Sequence, residues 1–129
     1  MAAKTTLKAL LAEANSALDT LDASEAIRLM NAGEIVLVDV REEAERREHG
    51  AVPGAVAASR GFLEFMADPE GPLHNPLFAS GKRLVLFCAT GGRSALAGKT
   101  LLDLGIDNVA HIRGGFGQWK EAGGATESV

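Results

Sequence analysis

Residues 84–98 read LVLFCATGGRSALAG, the pattern of a buried β-strand, a glycine-containing loop and the start of a helix. The apolar run ends at Cys88, the chain's one cysteine, and a helical spacing of apolar residues begins at Ser94. A strand that leads through a short loop into a helix is the repeating unit of α/β proteins. The stretch therefore predicts an α/β fold, and the loop after Cys88 is its first candidate site.

Strand and helix patterns alternate along the rest of the chain. The run EIVLVDV (residues 34–40) is apolar and β-branched, which is typical of a strand buried on both faces of a parallel sheet. The predicted strands are at residues 16–20, at 34–40, shortly after the turn at Pro53-Gly54, at 82–88 and at 109–112. The predicted helices are at residues 7–15, between Asp22 and Gly33, and at 41–49, 61–66, 94–104 and 116–122. This order predicts a mostly parallel, central five-stranded sheet flanked by helices.

Composition limits the classes of protein that the chain can represent. Its 129 residues, 47% hydrophobic and 23% charged, fit one globular domain. The N-terminus lacks the pattern of a secretory signal, and no segment approaches the length of a membrane span. A single cysteine excludes an internal disulfide and the common multi-cysteine zinc sites, so we expect a cytoplasmic protein without a metal. The net charge of −4 argues against broad binding to nucleic acid or anionic membranes.

Charge is unevenly distributed around Cys88. No acidic residue lies between Glu70 and Asp103, while Lys82, Arg83, Arg93 and Lys99 all fall there. Two interpretations remain open. The cations either belong to solvated surfaces, or they create a positive field that favours a thiolate and an anionic substrate.

The loop from Cys88 to Ser94 can stabilise a sulfur anion. Gly91 and Gly92 permit positive φ angles, so that several backbone N–H groups can converge on one point, and the following helix adds its positive dipole end. A thiol in such surroundings has a lowered pKa and becomes a nucleophile. Arg93 either completes this cradle or turns outward and braces the loop through a carboxylate. The alternative is that Cys88 is an inert core residue, as most strand cysteines are.

The chain resembles a single-domain rhodanese, a sulfurtransferase module. Four segments carry the resemblance in the family's order: VDVRE (38–42), GAVPGAV (50–56), CATGGRS (88–94) and IRGGFGQW (112–119). The resemblance implies a three-layer α/β sandwich, with residues 16–129 as the rhodanese domain and residues 1–15 as a helical extension packed on it.

The resemblance also implies a function. Cys88 would take a sulfane sulfur from a small anionic donor such as thiosulfate and hold it as a persulfide. A thiol, a protein or cyanide would then accept the sulfur, and no metal or organic cofactor would take part. The active loop would be formed by Ala89, Thr90, Gly91, Gly92, Arg93 and Ser94, and the supporting residues would be Asp39, Arg41 and Arg60. We expect no nucleic-acid or membrane partner, and a monomer or a homodimer.

The chain departs from the family pattern in several places. Related dual-specificity phosphatases have five residues between cysteine and arginine, whereas four lie between Cys88 and Arg93, so the smaller ring suits sulfur better than phosphate. Ala89 and Thr90 lack the basic side chains of efficient thiosulfate loops, and Glu45 stands where a sulfonate-binding residue is expected. A regulatory or redox-sensing module remains the alternative to an enzyme, and a phosphatase or an arsenate-reductase-like enzyme is the less favoured alternative.

The three histidines, His49, His74 and His111, are scattered along the sequence, which suggests solvated or core residues.

Overall fold

The computed structural model describes residues 1–129, and its centre is a five-stranded sheet in which all strands are parallel. The strand order is β1-β5-β4-β2-β3. The strands are β1 (Asp19–Leu21), β2 (Ile35–Asp39), β3 (Val56–Ala57), β4 (Arg83–Phe87) and β5 (Val109–Ile112). The prediction of a parallel five-stranded sheet is confirmed.

Six α-helices cover the sheet on its two faces. They are α1 (Leu7–Ala17), α2 (Ala23–Asn31), α3 (Glu43–His49), α4 (Leu63–Ala67), α5 (Gly92–Asp103) and α6 (Gly115–Glu121). Short 3-10 helices occupy Arg60–Phe62 and Pro76–Ala79. Helices α1 and α4 pack against α5, and α2 packs against α6. The result is the predicted three-layer sandwich, and none of its helices has the length and apolar character needed to cross a membrane.

Each face of the sheet has its own hydrophobic core. Val38, Leu86 and Cys88 belong to the core shared with α4 and α5, whereas Leu37 and Phe87 belong to the core shared with α2 and α6. Successive residues of a strand point to opposite faces, so the uninterrupted apolar runs of β2 and β4 supply both cores.

The observed elements differ from the predicted ones mainly at their ends. Helix α1 continues to Ala17, so the predicted boundary between extension and domain falls inside this helix, and β1 begins only at Asp19. Helix α3 begins at Glu43, not at Arg41, because Arg41 is buried. Helix α5 ends at Asp103, one residue before the predicted end, and Leu104, in the turn before Gly105, is 52% exposed.

Candidate active site

Cys88 lies at the carboxyl edge of the sheet, where ligands bind in open α/β folds. β2 and β4 are neighbours with Asp39 opposite Phe87, and the N–H of Val40 donates to the Phe87 carbonyl at 3.0 Å. Cys88 follows β4 directly and is buried. Helix α5 begins at Gly92, two residues earlier than predicted, after Gly91 with a φ of 123°. The loop that joins strand to helix is therefore very short.

Backbone N–H groups and one hydroxyl surround the sulfur of Cys88. The Gly91 N–H donates to Sγ at 3.0 Å, and Oγ of Ser94, in the first turn of α5, lies 3.7 Å from Sγ. Burial raises the pKa of Cys88, but the backbone N–H groups of Ser94, Gly91 and Thr90 and the Ser94 hydroxyl lower it. The net effect is a pKa below the ordinary thiol value, since these donors favour the anion.

The cations near Cys88 in the sequence, for which a positive field was one of the two interpretations, each have a hydrogen-bond or ion-pair partner other than Cys88. Lys82 donates to the Gly33 carbonyl and Arg83 pairs with Asp19. Lys99 pairs with Asp103 and with Glu13. Carboxylates thus bind Arg83 and Lys99, and a backbone carbonyl binds Lys82. The hydrogen-bond donors of the loop, together with the charge of Arg93, stabilise the Cys88 anion.

Arg93 turns outward and braces the loop against helix α3. Its two terminal nitrogens donate to the two carboxylate oxygens of Glu45 at 2.6 and 2.8 Å, in a bidentate pair. The Arg93 guanidinium is the main cause that lowers the pKa of Glu45 to about 2, and Glu45 in turn raises the pKa of Arg93. Of the two roles considered for Arg93, the structure has the brace through a carboxylate.

We expect the Arg93–Glu45 pair to stabilise the fold at neutral pH and to lose this effect in acid. The folded-state pKa of Glu45 is about 2, below the ordinary 4.5, so its contribution is complete above pH 4.5 and disappears as the pH falls towards 2. The side chain of Arg93 is 39% exposed and that of Glu45 is 29% exposed, so solvent screens the pair. Its contribution to the free energy of unfolding is therefore at most about 1 kcal/mol. Carboxyl NMR titration should give Glu45 a midpoint near 2 that returns towards 4.5 in Arg93→Met. A midpoint near 4.5 in the unmodified protein would contradict the brace.

Two consecutive glycines form a turn that contacts the active loop. Gly114 and Gly115 both have positive φ, at 73° and 58°, and lead into α6. The N–H of Phe116 donates to the Cys88 carbonyl at 2.8 Å. A Cβ on Gly115 would lie 2.4 Å from that carbonyl oxygen. This turn against the active loop therefore requires glycine.

Asp39 and Arg41 form a buried ion pair on the other face of the sheet from the Cys88 sulfur. Arg41 donates to the Asp39 carboxylate from its backbone N–H at 3.0 Å and from Nη2 at 2.8 Å, and Nη2 also donates to the Gly50 carbonyl. The guanidinium lies 4.1 Å from the centroid of the Phe116 ring. The pair thus supports Phe116, whose N–H holds the active loop, and it does not reach the sulfur itself.

Arg60 has partners away from the loop. It pairs with Glu64 at 2.9 Å and donates to the Thr100 hydroxyl at 3.0 Å, two turns along α5 from Ser94. These contacts give no support to the prediction of Arg60 as a supporting residue of the active loop.

Two residues of the site were not assigned to it from sequence. Glu45 was considered only as a substitute in substrate binding, although the expected carboxylate partner of Arg93 was a signal. His111 was considered a solvated or core residue, yet its Nδ1 lies 2.9 Å from Oγ of Ser94. A polar residue inside the apolar strand VAHI, three residues before the Gly114-Gly115 turn, was the available signal.

Comparisons with known proteins agree with this geometry. The Rhodanese-like domain family matches residues 22–122. The mouse protein Thiosulfate sulfurtransferase/rhodanese-like domain-containing protein 3 is 31% identical over an alignment of 101 residues, which covers 70% of this chain and 61% of the mouse protein. The chain spans less than two thirds of the length of the curated relatives it matches.

Two solved structures are similar over nearly the whole chain. A protein of unknown function from Rhodopseudomonas palustris, a possible tyrosine phosphatase, has a TM-score of 0.93 and 45% identity, with 98% of each chain covered. The homodimeric polysulfide-sulfur transferase of Wolinella succinogenes has a TM-score of 0.71 and 31% identity, with 95% of this chain and 87% of that chain covered. On its sequence match, its sheet and its cysteine loop, the chain belongs to the family of rhodanese-like domains.

Proposed function

We propose that the protein is a sulfurtransferase that carries a sulfane sulfur as a persulfide on Cys88. The observation that carries the proposal is the short loop in which the Gly91 N–H donates to Sγ at 3.0 Å while Arg93 is held outside by Glu45. A loop with this arrangement stabilises one sulfur anion. The similarity to the polysulfide-sulfur transferase supports the same reaction class.

The reaction is a double displacement. The Cys88 thiolate attacks the outer sulfur of the donor, forms an S–S bond, and the rest of the donor leaves with the electron pair of the broken bond. An acceptor nucleophile then attacks the outer sulfur of the persulfide, and Cys88 leaves as a thiolate. In both steps the loop N–H groups and the Ser94 hydroxyl stabilise the negative charge on sulfur. No oxidant, metal or organic cofactor enters this balance.

We further propose that a thiol persulfide or a polysulfide is a better donor than thiosulfate. Thiosulfate carries a sulfonate, which needs a cation beside the loop. Ala89 and Thr90 bear no charge, and the one cation of the loop, Arg93, is bound by Glu45 on both terminal nitrogens. A persulfide donor presents sulfur without that requirement.

Steady-state transfer to cyanide, followed as thiocyanate, tests the proposal. Thiosulfate and a cysteine persulfide are compared as donors, and p-nitrophenyl phosphate is offered separately. We expect transfer with parallel-line, double-displacement kinetics, a higher kcat/KM for the persulfide, and no phosphate release. Cys88→Ser should lose transfer, while His49→Ala, a surface control, should keep it.

Other results would overturn the proposal. Phosphate release that depends on Cys88 would assign a phosphatase, the activity suggested for the similar Rhodopseudomonas protein. Absence of transfer from every donor, in a protein whose Cys88 is oxidised reversibly by peroxide, would assign the redox-sensing module. Equal kcat/KM for the two donors would overturn the donor preference alone.

A further inference from the structure

His111 connects the active loop to α1 and to the edge strand β1. It lies on β5 and is buried, and both ring nitrogens have partners. Nδ1 lies 2.9 Å from Oγ of Ser94, and Nε2 lies 2.9 Å from Oδ1 of Asn15 and 3.3 Å from Oγ1 of Thr20. Asn15 is exposed on α1 and Thr20 is half-buried on β1, so the contacts continue from the core to solvent.

The Ser94 hydroxyl stands at the centre of these contacts. Its oxygen has three neighbours: Sγ of Cys88 at 3.7 Å, Nδ1 of His111 at 2.9 Å and the Gly91 carbonyl at 3.2 Å. A hydroxyl has one proton to donate, so its direction depends on what the imidazole offers. If Nδ1 accepts, Ser94 donates to the ring and can only receive a hydrogen bond from the thiol. If Nδ1 carries the proton, the ring donates to Ser94, and the hydroxyl proton is available to the Gly91 carbonyl or to a sulfur anion, of which the anion is the stronger acceptor.

We propose that Ser94 and His111 form a hydrogen-bond chain that carries the thiol proton of Cys88 to the surface and then holds the Ser94 hydroxyl towards the sulfur anion. The thiol proton passes to Oγ of Ser94, the hydroxyl proton passes to Nδ1 of His111, and the Nε2 proton passes to water beside Asn15 and Thr20. One proton leaves the protein, Cys88 becomes a thiolate and His111 changes tautomer. His111 is thus a positioning residue that acts on the sulfur through Ser94.

The surroundings of His111 fit a chain in which the ring stays neutral. Burial and the charge of Arg113 both lower the pKa of His111. Asn15 from α1, Thr20 from β1 and Ser94 from α5 are uncharged, and Cys88 is the titratable group at the end of the chain. Oδ1 of Asn15 accepts from Nε2 when that nitrogen carries the proton, and the Thr20 hydroxyl can donate to Nε2 when it does not, so Nε2 has a partner in both tautomers.

Thiolate absorbance in the ultraviolet, recorded against pH without any sulfur donor, tests this chain. The chain has one cysteine and no tyrosine, and Cys88→Ser supplies the baseline. We expect Ser94→Ala and His111→Leu each to move the midpoint of the Cys88 titration upward by about one pH unit. His111→Leu should add nothing in the Ser94→Ala background, and His49→Ala should change nothing. No shift in His111→Leu, or a shift that adds to that of Ser94→Ala, would overturn the chain.

Nitrogen-15 NMR of the imidazole gives a test that needs no His111 variant. In the unmodified protein the ring should change from the Nε2–H to the Nδ1–H tautomer at the pH where the thiolate forms. In Cys88→Ala it should keep one tautomer across the same range. The same tautomer on both sides of the Cys88 titration would overturn the proposal. The proposal rests on the proposed function only in that the thiolate is used for sulfur transfer. The tautomer is measured without a sulfur donor, so the experiment gives a result for the hydrogen-bond chain even if the protein transfers no sulfur.

Discussion

Asp39→Asn should destabilise the protein by about 3–5 kcal/mol, because it leaves the Arg41 guanidinium buried without a counter-charge. The Asp39 and Arg41 side chains are 2% and 1% exposed, and the carboxylate receives both the backbone N–H and the guanidinium of Arg41. Asparagine keeps the shape but removes the charge. The free energy of unfolding from urea titration is the measurement.

A surface pair provides the matched control for Asp39. Arg28 and Glu25 are also a hydrogen-bonded ion pair, but their side chains are 63% and 44% exposed, so solvent screens the pair and Glu25→Gln should leave the free energy of unfolding nearly unchanged. The double variant Asp39→Leu/Arg41→Met should be less destabilised than Asp39→Asn, because it removes both charges from the core. Equal costs for Asp39→Asn and Glu25→Gln would contradict a structural role for the buried pair.

Gly115→Ala should reduce sulfur transfer about 100-fold or more, because its Cβ would displace the carbonyl of Cys88. The new carbon would lie 2.4 Å from that oxygen and 2.8 Å from the Ala89 carbonyl carbon and oxygen, and all of these are backbone atoms that cannot rotate away. The loop has to move, which separates the Gly91 N–H from the sulfur. Transfer rates and the Cys88 pKa, measured on the same protein, should change together.

Gly33→Ala separates this clash from simple backbone strain. Gly33 has a φ of 71°, close to the 58° of Gly115, but a Cβ there meets no atom within 4 Å. Both substitutions carry the left-handed penalty of about 1–2 kcal/mol, and only Gly115→Ala adds the clash. Similar transfer rates in the two variants, at matched stability, would show that the turn does not position the loop.

The sheet was predictable because its strands are encoded locally. The apolar runs of β2 and β4 require burial on both faces of the sheet. The glycine-containing loop after Cys88 marks the point where a strand ends and a helix begins. These features depend on neighbours in the sequence. The proposal of Cys88 as the nucleophile rests on the same stretch, since the chain has one cysteine and it lies at that junction.

The side-chain partners were not predictable because distant segments supply them. Glu45 reaches Arg93 across 48 residues and Asn15 reaches His111 across 96, and neither spacing has a local pattern. Arg41 begins the charged stretch REEAERREH (residues 41–49), and this pattern predicts an exposed side chain. In the structure the Arg41 guanidinium packs against the Phe116 ring. The excess of cations near Cys88 in the sequence does not form a free positive patch in the structure, because Arg83, Arg93 and Lys99 pair with carboxylates and Lys82 donates to a backbone carbonyl.

Intact mass after treatment with a cysteine persulfide tests the central claim most directly. Because Cys88 is the only cysteine, the protein should gain the mass of one sulfur atom, lose it on addition of cyanide or a thiol reductant, and show no gain as Cys88→Ser. Cyanide should leave with the sulfur as thiocyanate in equal amount. An unchanged mass with every persulfide and polysulfide donor, or the same gain in Cys88→Ser, would contradict sulfur transfer through Cys88.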